Sequence, residues 1–131
     1  MRKLKLNLTE NVFQQGDVLL KRIDKLPNNL VKQADGVLQL GEVTGHKHQF
    51  LNAPQVEVYI DSKHKDALDH RGFLTRNITP DENKYLVVKG TEPQPLTHEE
   101  HKTIMVPPGT YKIDIVYEYD YEREELARVA D

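Results

Sequence analysis

The chain has 131 residues and no cysteine, with 37% hydrophobic residues, 30% charged residues and a net charge of -3. The length predicts one domain over residues 1–131, since domains commonly contain about 100–150 residues. The lack of cysteine excludes disulfides and thiolate metal sites, and the lack of a basic stripe disfavours a nucleic-acid partner.

The first half of the chain contains short segments with the apolar pattern of half-buried strands. Alternation of leucine with polar residues predicts a strand over residues 4–8, and an apolar run predicts a second strand over residues 17–23. Residues 30–33 and 37–40 flank an Asp-Gly pair, which predicts a hairpin. A further strand is predicted over residues 43–51.

The second half continues the same pattern. The polar stretch over residues 61–72 predicts an exposed excursion with room for one helical turn. The other elements predicted in this half are strands over residues 55–60, 73–78, 84–89, 103–106 and 111–121, and a short C-terminal helix over residues 122–130.

This order of elements decides the fold class. Strands follow one another with turn residues between them, and they do not alternate with helices, which disfavours a doubly wound parallel sheet. The pattern predicts an all-β, mainly antiparallel fold. It is either a small β-barrel or a two-sheet sandwich, with a short C-terminal helix.

Four of the six histidines occur in two tight pairs. His46 and His48 are two apart on a predicted strand, so their rings share one face. His98 and His101 are three apart and share a face if they lie on a helical turn, which the capping-box pattern of residues 97–100 predicts. Our central hypothesis is that the two pairs meet in space and bind one metal ion through all four rings.

The donor set limits the metal and the chemistry. Imidazole and carboxylate ligands favour a divalent transition metal such as zinc, iron, manganese, nickel or copper(II). If only three histidines bind, one coordination position stays open for water or a small-molecule ligand. Such an open position would allow a metal-assisted hydrolysis or an oxygenase-type reaction on a small molecule; whether the chain is an enzyme stays open, and its catalytic residues are unknown.

An alternative reading needs no catalysis. Histidines in polar segments are common on solvated surfaces, and the chain would then be a non-enzymatic structural or interaction module, for example a phage or assembly component. A protein partner and a homo-oligomer both stay open. No apolar run approaches the ~20 residues of a membrane span, and the basic start lacks the apolar run of a secretory signal, so we expect a cytoplasmic protein.

Three carboxylates near the histidine pairs are candidate acid-base groups. If Glu100 closes the capping box, its carboxylate is occupied and Glu99 is the one available for chemistry. Glu42 lies an even number of residues before His46 and His48, so on a strand it would share their face and could join them as a ligand or base. Solvated surface carboxylates are the more frequent interpretation of such residues. His64 and His70 are six apart, which fits neither a strand face nor a helix face, and we predict both on the surface.

Two resemblances follow from these residues. The segment from Gly41 to His48 resembles the first cupin motif, which implies a double-stranded β-barrel with a metal in its mouth. A larger set of segments resembles a small family of uncharacterised bacterial and phage proteins, which implies no known activity. Those segments are Gln15-Gly-Asp-Val-Leu-Leu20, Gly41-Glu-Val-Thr-Gly-His46-Lys-His48, Thr97-His-Glu-Glu-His101, Pro107-Pro-Gly109 and Glu118-Tyr-Asp120.

Overall fold

The computed structural model describes residues 11–40, 46–51, 53–78, 82–115, 117–120 and 125–128. The strand predicted over residues 4–8 lies outside these ranges. The described strands are β1 (Val12–Gln15), β2 (Val18–Ile23), β3 (Leu30–Gln33), β4 (Val37–Leu40), β5 (Lys47–Gln49), β6 (Val56–Asp61), β7 (Lys84–Val88), β8 (Gln94–Leu96), β9 (Ile104–Val106), β10 (Gly109–Ile115), β11 (Tyr117–Asp120) and β12 (Glu125–Arg128).

Six of these strands form one large sheet in the order β1-β2-β10-β7-β6-β3. Every neighbouring pair in it is antiparallel. The remaining strands form three two-stranded hairpins, β4–β5, β8–β9 and β11–β12. The all-β antiparallel prediction is therefore confirmed in its sandwich form, and the described strands do not close the barrel that was the other prediction.

The main core lies between the large sheet and two of the hairpins. Alternate residues of the sheet turn one face inward, and Leu20 of β2 and Leu86 of β7 are fully buried there. Leu38 of β4 and Leu96 of β8 pack into the same cluster. Burial of these apolar side chains is the main favourable contribution to folding, and it holds both hairpins against one face of the sheet.

The polar stretch after β6 is less exposed than predicted. Ser62–Ala67 form a 3-10 helix, and Ala67 and Leu74 join a second buried cluster. Residues 73–78 form no strand, apart from one bridge from Leu74 to Leu68. Among the described residues, no helix has the length and apolarity that a membrane crossing requires.

The predicted hairpin over residues 30–40 is wrong, because β3 pairs with β6 and β4 pairs with β5. Residues 34–36 instead carry the chain from the large sheet to a hairpin. A Cβ on Gly36 would collide with the Phe50 carbonyl oxygen, and the Phe50 N–H donates to the Gly36 carbonyl at 2.9 Å. Glycine is needed here for a close backbone contact between segments distant in sequence.

The predicted C-terminal helix is also wrong where the chain is described. Residues 125–128 form β12, which pairs with β11 in register from Tyr117↔Arg128 to Asp120↔Glu125. A helix of nine residues is marginal in water by itself, whereas this pairing satisfies the backbone of both segments. The strand predicted over residues 111–121 is likewise divided, since β10 ends at Ile115 and β11 belongs to a different sheet.

Candidate metal centre

Two hairpins bring the histidine pairs together. β5 contains His48, and the second pair lies in residues 97–101, which connect β8 to β9. Gln49 and Thr97 form an antiparallel bridge and exchange backbone hydrogen bonds of 3.0 and 2.9 Å. In this register the residue before Gln49 faces the residue after Thr97, so His48 lies opposite His98.

Three of the four predicted ligands converge. His48, His98 and His101 each offer a nitrogen, and these nitrogens all lie within 4.8 Å of one another. The ring centroids are 4.4 Å apart for His48 and His98, and 4.6 Å apart for His98 and His101. His46 lies beside this group, with its ring 5.7 Å from that of His98. Glu42 lies outside the described residues.

His48 is held on both sides by residues of the β1–β2 turn. Its Nε2 is 3.1 Å from Oδ1 of Asp17, and both side chains are fully buried. Its Nδ1 is 2.8 Å from Oε1 of Gln15. The ring therefore has a fixed orientation before any ligand arrives.

The surroundings of Gln15 define which nitrogen of His48 carries a proton. The Gln15 amide group donates from Nε2 to the carbonyls of Leu96 at 2.8 Å and Lys102 at 2.9 Å. Its Oε1 is therefore the acceptor, and Nδ1–H of His48 donates to it. Nε2 of His48 then has no proton of its own and lies 3.1 Å from Oδ1 of Asp17. Because both atoms are acceptors, a proton or a metal ion must lie between them.

The predicted capping box does not form, since residues 99–101 make bends and no helical turn. The Thr97 hydroxyl donates to the Gln49 carbonyl at 3.1 Å, because the bridge to β5 occupies this position. The Glu100 N–H donates to Nδ1 of His98 at 3.0 Å. The side chain of His98 thus takes the role that the pattern assigned to Thr97.

The two carboxylates of the turn have the opposite roles from those predicted. Glu99 accepts the Lys47 N–H at 2.8 and 3.2 Å. This hydrogen bond is the main reason that the pKa of Glu99 is lowered, and the neighbouring imidazoles of His98 and His46 act in the same direction. Glu100 is the exposed group, and its Oε1 is 3.7 Å from Nδ1 of His46.

Two buried ring nitrogens at the centre have no hydrogen-bond partner among the described residues. They are Nε2 of His101 and Nδ1 of His46. A buried polar atom without a partner costs about 1–3 kcal/mol, and such atoms in folded proteins usually mark a water or an ion. His101 is also a member of the group of three, so a cation or a solvent molecule at this position would satisfy its Nε2.

The group fits a metal ion after a small adjustment. Ligand bonds of ~2.0–2.1 Å place neighbouring donor atoms roughly 3–3.5 Å apart, so any two of the three nitrogens that are further apart within the 4.8 Å limit must move closer. Coordination by His98 also requires its ring to turn away from the Glu100 N–H, which lies on an exposed bend where water can replace it.

A cavity adjoins the centre on the His98 side. It has a volume of about 350 Å³, is open to solvent, and is lined by Gln49, Leu51, Thr97, His98 and Glu99. A cavity of this size is at the lower end of the range for small-molecule sites. A metal bound by three histidines could therefore present its open position to a small molecule.

Sequence reasoning missed Gln15 and Asp17 as part of this centre. The available signal was a carboxylate next to Gly16, directly before the apolar run that becomes β2. Charged residues are rarely fully buried without a partner. His64, predicted as a surface residue, is instead half-buried, and its Nδ1 is 2.8 Å from Glu82.

The comparisons with known proteins give a family and no activity. No curated protein and no solved structure matches the chain significantly. One family model covers residues 14–115, a range that contains all three converging histidines as well as Gln15 and Asp17. The chain therefore belongs to the family described as a domain of unknown function (DUF8820).

Proposed function

We propose that this protein binds one divalent transition metal ion through His48, His98 and His101. The observation that supports this best is the convergence of three imidazole nitrogens, from segments about fifty residues apart, to within 4.8 Å. The donors are nitrogen and the chain has no thiolate, so zinc, iron, manganese and nickel are the candidates. His46 lies outside the group of three, with its ring 5.7 Å from that of His98, and it stays a proposed fourth ligand.

Three protein ligands would leave a coordination position for water. A metal ion can lower the pKa of bound water toward ~7 or polarise an oxygen atom of a substrate. The neighbouring cavity provides space for a small molecule, so a metal-dependent reaction on a small molecule is the activity we propose. The residues that would transfer protons in that reaction are not assigned.

Elemental analysis of protein purified without a histidine tag tests the metal. We expect about one equivalent of metal in the wild type and a loss of most of it in a His48→Ala/His101→Ala double variant. His64→Ala/His70→Ala is the matched control, since both of its histidines lie away from the centre. Equal metal content in the wild type and the first double variant would contradict the proposal.

A second candidate function follows from the surroundings of His48. Both of its ring nitrogens already have a neighbour, Gln15 on one side and Asp17 on the other. The cation shared with Asp17 would then be a proton, and the histidines would serve the stability of a non-enzymatic structural or interaction module. A phage or assembly component is one form of that alternative.

Nitrogen-15 NMR of the metal-free protein separates the two candidates. The metal proposal expects Nε2 of His48 to take a metal-bound chemical shift when Zn²⁺ is added. The alternative expects Zn²⁺ to change the chemical shift of neither ring nitrogen of His48.

A further inference from the structure

Lys84 is the one lysine in the described part of the chain whose side chain is buried in the core. Lys84 is 2% exposed, and its Nζ donates to the carbonyls of Val37 at 3.1 Å and Leu38 at 3.0 Å. A lysine in a core must have such partners, because an unpaired buried ammonium is very unfavourable. Lys84 lies on β7 of the large sheet, and its two acceptors lie on β4, so it connects the sheet to the hairpin that contains His48.

The two acceptors lie at an irregularity of β4. Val37 is opposite Gln49 and Gln39 is opposite His48, so two residues of β4 correspond to one residue of β5. This is a β-bulge, which leaves one residue outside the ladder and bends the strand. Val37, Leu38 and Gln39 are all buried in succession at this point.

The bulge is directly next to the metal centre. The residue that follows it on β4, Gln39, is the cross-strand partner of His48. Cross-strand neighbours have Cβ atoms about 4.5–5.5 Å apart, so a change in the shape of the bulge moves the backbone that faces His48. Lys84 stabilises this bend through its two hydrogen bonds to β4.

Few charged groups face the Lys84 ammonium. Asp35 attracts it and raises its pKa, but burial has the larger effect and lowers the pKa to about 7. Glu82 shares with Lys84 a small cavity of about 10 Å³. The neighbours of Lys84 on the adjoining strands are apolar, namely Ile60 on β6 and Ile113 on β10.

We infer that Lys84 is a positioning residue for the metal centre, which it serves by holding the bulge of β4 opposite His48. The effect on metal affinity rests on the proposed function, whereas the contact with the bulge does not. A charged donor makes a stronger hydrogen bond than a neutral one, so Lys84 stabilises the bulge of β4 most strongly when its side chain is an ammonium. Lys84 thereby couples the metal affinity of the centre to pH.

The test compares Zn²⁺ affinity in the wild type and in Lys84→Met, which is apolar and similar in volume. Supporting interactions around a metal site commonly contribute 10–100-fold in affinity, and we expect the variant to bind Zn²⁺ about tenfold more weakly at pH 6.0. The ratio of the two dissociation constants should be smaller at pH 8.5, where wild-type Lys84 is neutral and its hydrogen bonds to β4 are weaker. Taking the ratio cancels the protonation of the histidines, which both proteins share.

The matched control is Lys89→Met, one residue beyond β7, where the lysine is exposed and contacts Glu57. It should bind Zn²⁺ as the wild type does at every pH. Equal affinity of Lys84→Met and wild type at pH 6.0, or a ratio that does not change with pH, would overturn the inference.

A second measurement needs no variant and no metal. Carbon-13 NMR gives the titration of Lys84 Cε in the metal-free wild type, and the amide signals of Val37 to Gln39 should follow the same midpoint. Amide signals that stay constant while Lys84 titrates would overturn the contact with the bulge. If the wild type binds no Zn²⁺, the proposed function fails, and this measurement still decides the role of Lys84.

Discussion

At the scale of single residues, Gln15 links three segments of the candidate centre through its side-chain amide. Its amide joins His48 to the carbonyls of Leu96 and Lys102, which flank the segment that contains the other two histidines. One residue therefore fixes the tautomer of one proposed ligand and the backbone next to the others. Supporting residues of this kind orient the ligands of metal sites.

Replacing Gln15 by leucine should weaken both stability and metal binding. Two carbonyls and the Nδ1–H of His48 would lose their partner, and buried groups left in this way cost about 1–3 kcal/mol each. We expect unfolding by urea to show a loss of roughly 3 kcal/mol or more, and Zn²⁺ affinity to fall about 10–100-fold. Gln14→Leu, at the exposed neighbouring position, is the control, and similar losses in both variants would refute this role.

Glu57 gives a prediction on pH. It accepts a hydrogen bond from Tyr59 at 2.8 Å and contacts Lys32 and Lys89 at 3.2 Å each. These contacts, the Tyr59 hydrogen bond above all, lower the pKa of Glu57 from 4.5 to about 2. A lowered carboxyl pKa stabilises the fold above the unfolded value and loses this contribution as the pH falls.

We therefore expect Glu57→Gln to lower stability by about 1 kcal/mol at neutral pH, the upper end for surface ion pairs. The difference from wild type should shrink below pH 4.5 and vanish only below pH 2, where Glu57 is protonated in the folded state as well. Urea unfolding across this range measures it, with the exposed Glu92→Gln as control. A difference that is the same at pH 2 and pH 7 would show that the lost charge is not the cause.

The sequence patterns identified the histidines as candidate ligands, but they did not predict the residues that surround them. Residue type and short spacing are local signals, so the pairs around His48 and His98 could be recognised. Asp17 and Gln15 reach His48 only because the β1–β2 turn packs against β5, a contact across about thirty residues of chain. The predicted roles of Glu99 and Glu100 were the wrong way round because they assumed a capping box, which is a local pattern. In the structure Thr97 forms a bridge with Gln49 of the neighbouring hairpin and no capping box forms.

At the scale of elements, alternation of apolar residues identified most strands but not their partners. The Asp-Gly pair predicted a hairpin, yet the short segment around Gly36 connects two sheets. Pairing in the large sheet joins strands that are far apart in sequence, such as β2 and β10. Such pairings depend on which faces pack together, and a local pattern does not encode this.

Gly36→Ala tests the connection between the sheets. The added Cβ would meet the Phe50 carbonyl oxygen, so either the backbone or β5 must shift. Overpacking of this kind costs about 1–3 kcal/mol, and we expect a loss in that range in urea unfolding. Ala34→Ser, at an exposed position of the same connection, should be close to neutral. A neutral Gly36→Ala would mean that the two segments are not in close contact.

At the scale of the whole molecule, the two small hairpins have a common role. β4–β5 and β8–β9 both pack on one face of the large sheet through a shared core, and one backbone bridge joins them to each other. The candidate centre lies at that junction, where the β1–β2 turn also arrives. The sequence analysis left a sandwich and a barrel open, and the metal-binding hypothesis assumed a small β-barrel. Strand number and turn spacing are similar in both folds, and only the pairing distinguishes them.

X-ray absorption spectroscopy on the Zn²⁺-loaded, tag-free protein tests the central claim most directly, because it counts the imidazoles bound to the metal. The account predicts three imidazole ligands at ~2.0–2.1 Å, and a loss of imidazole scattering in His48→Ala/His101→Ala. A fourth imidazole that disappears in His46→Ala would extend the site to the full predicted set. A spectrum with oxygen ligands and one imidazole or none would contradict the account.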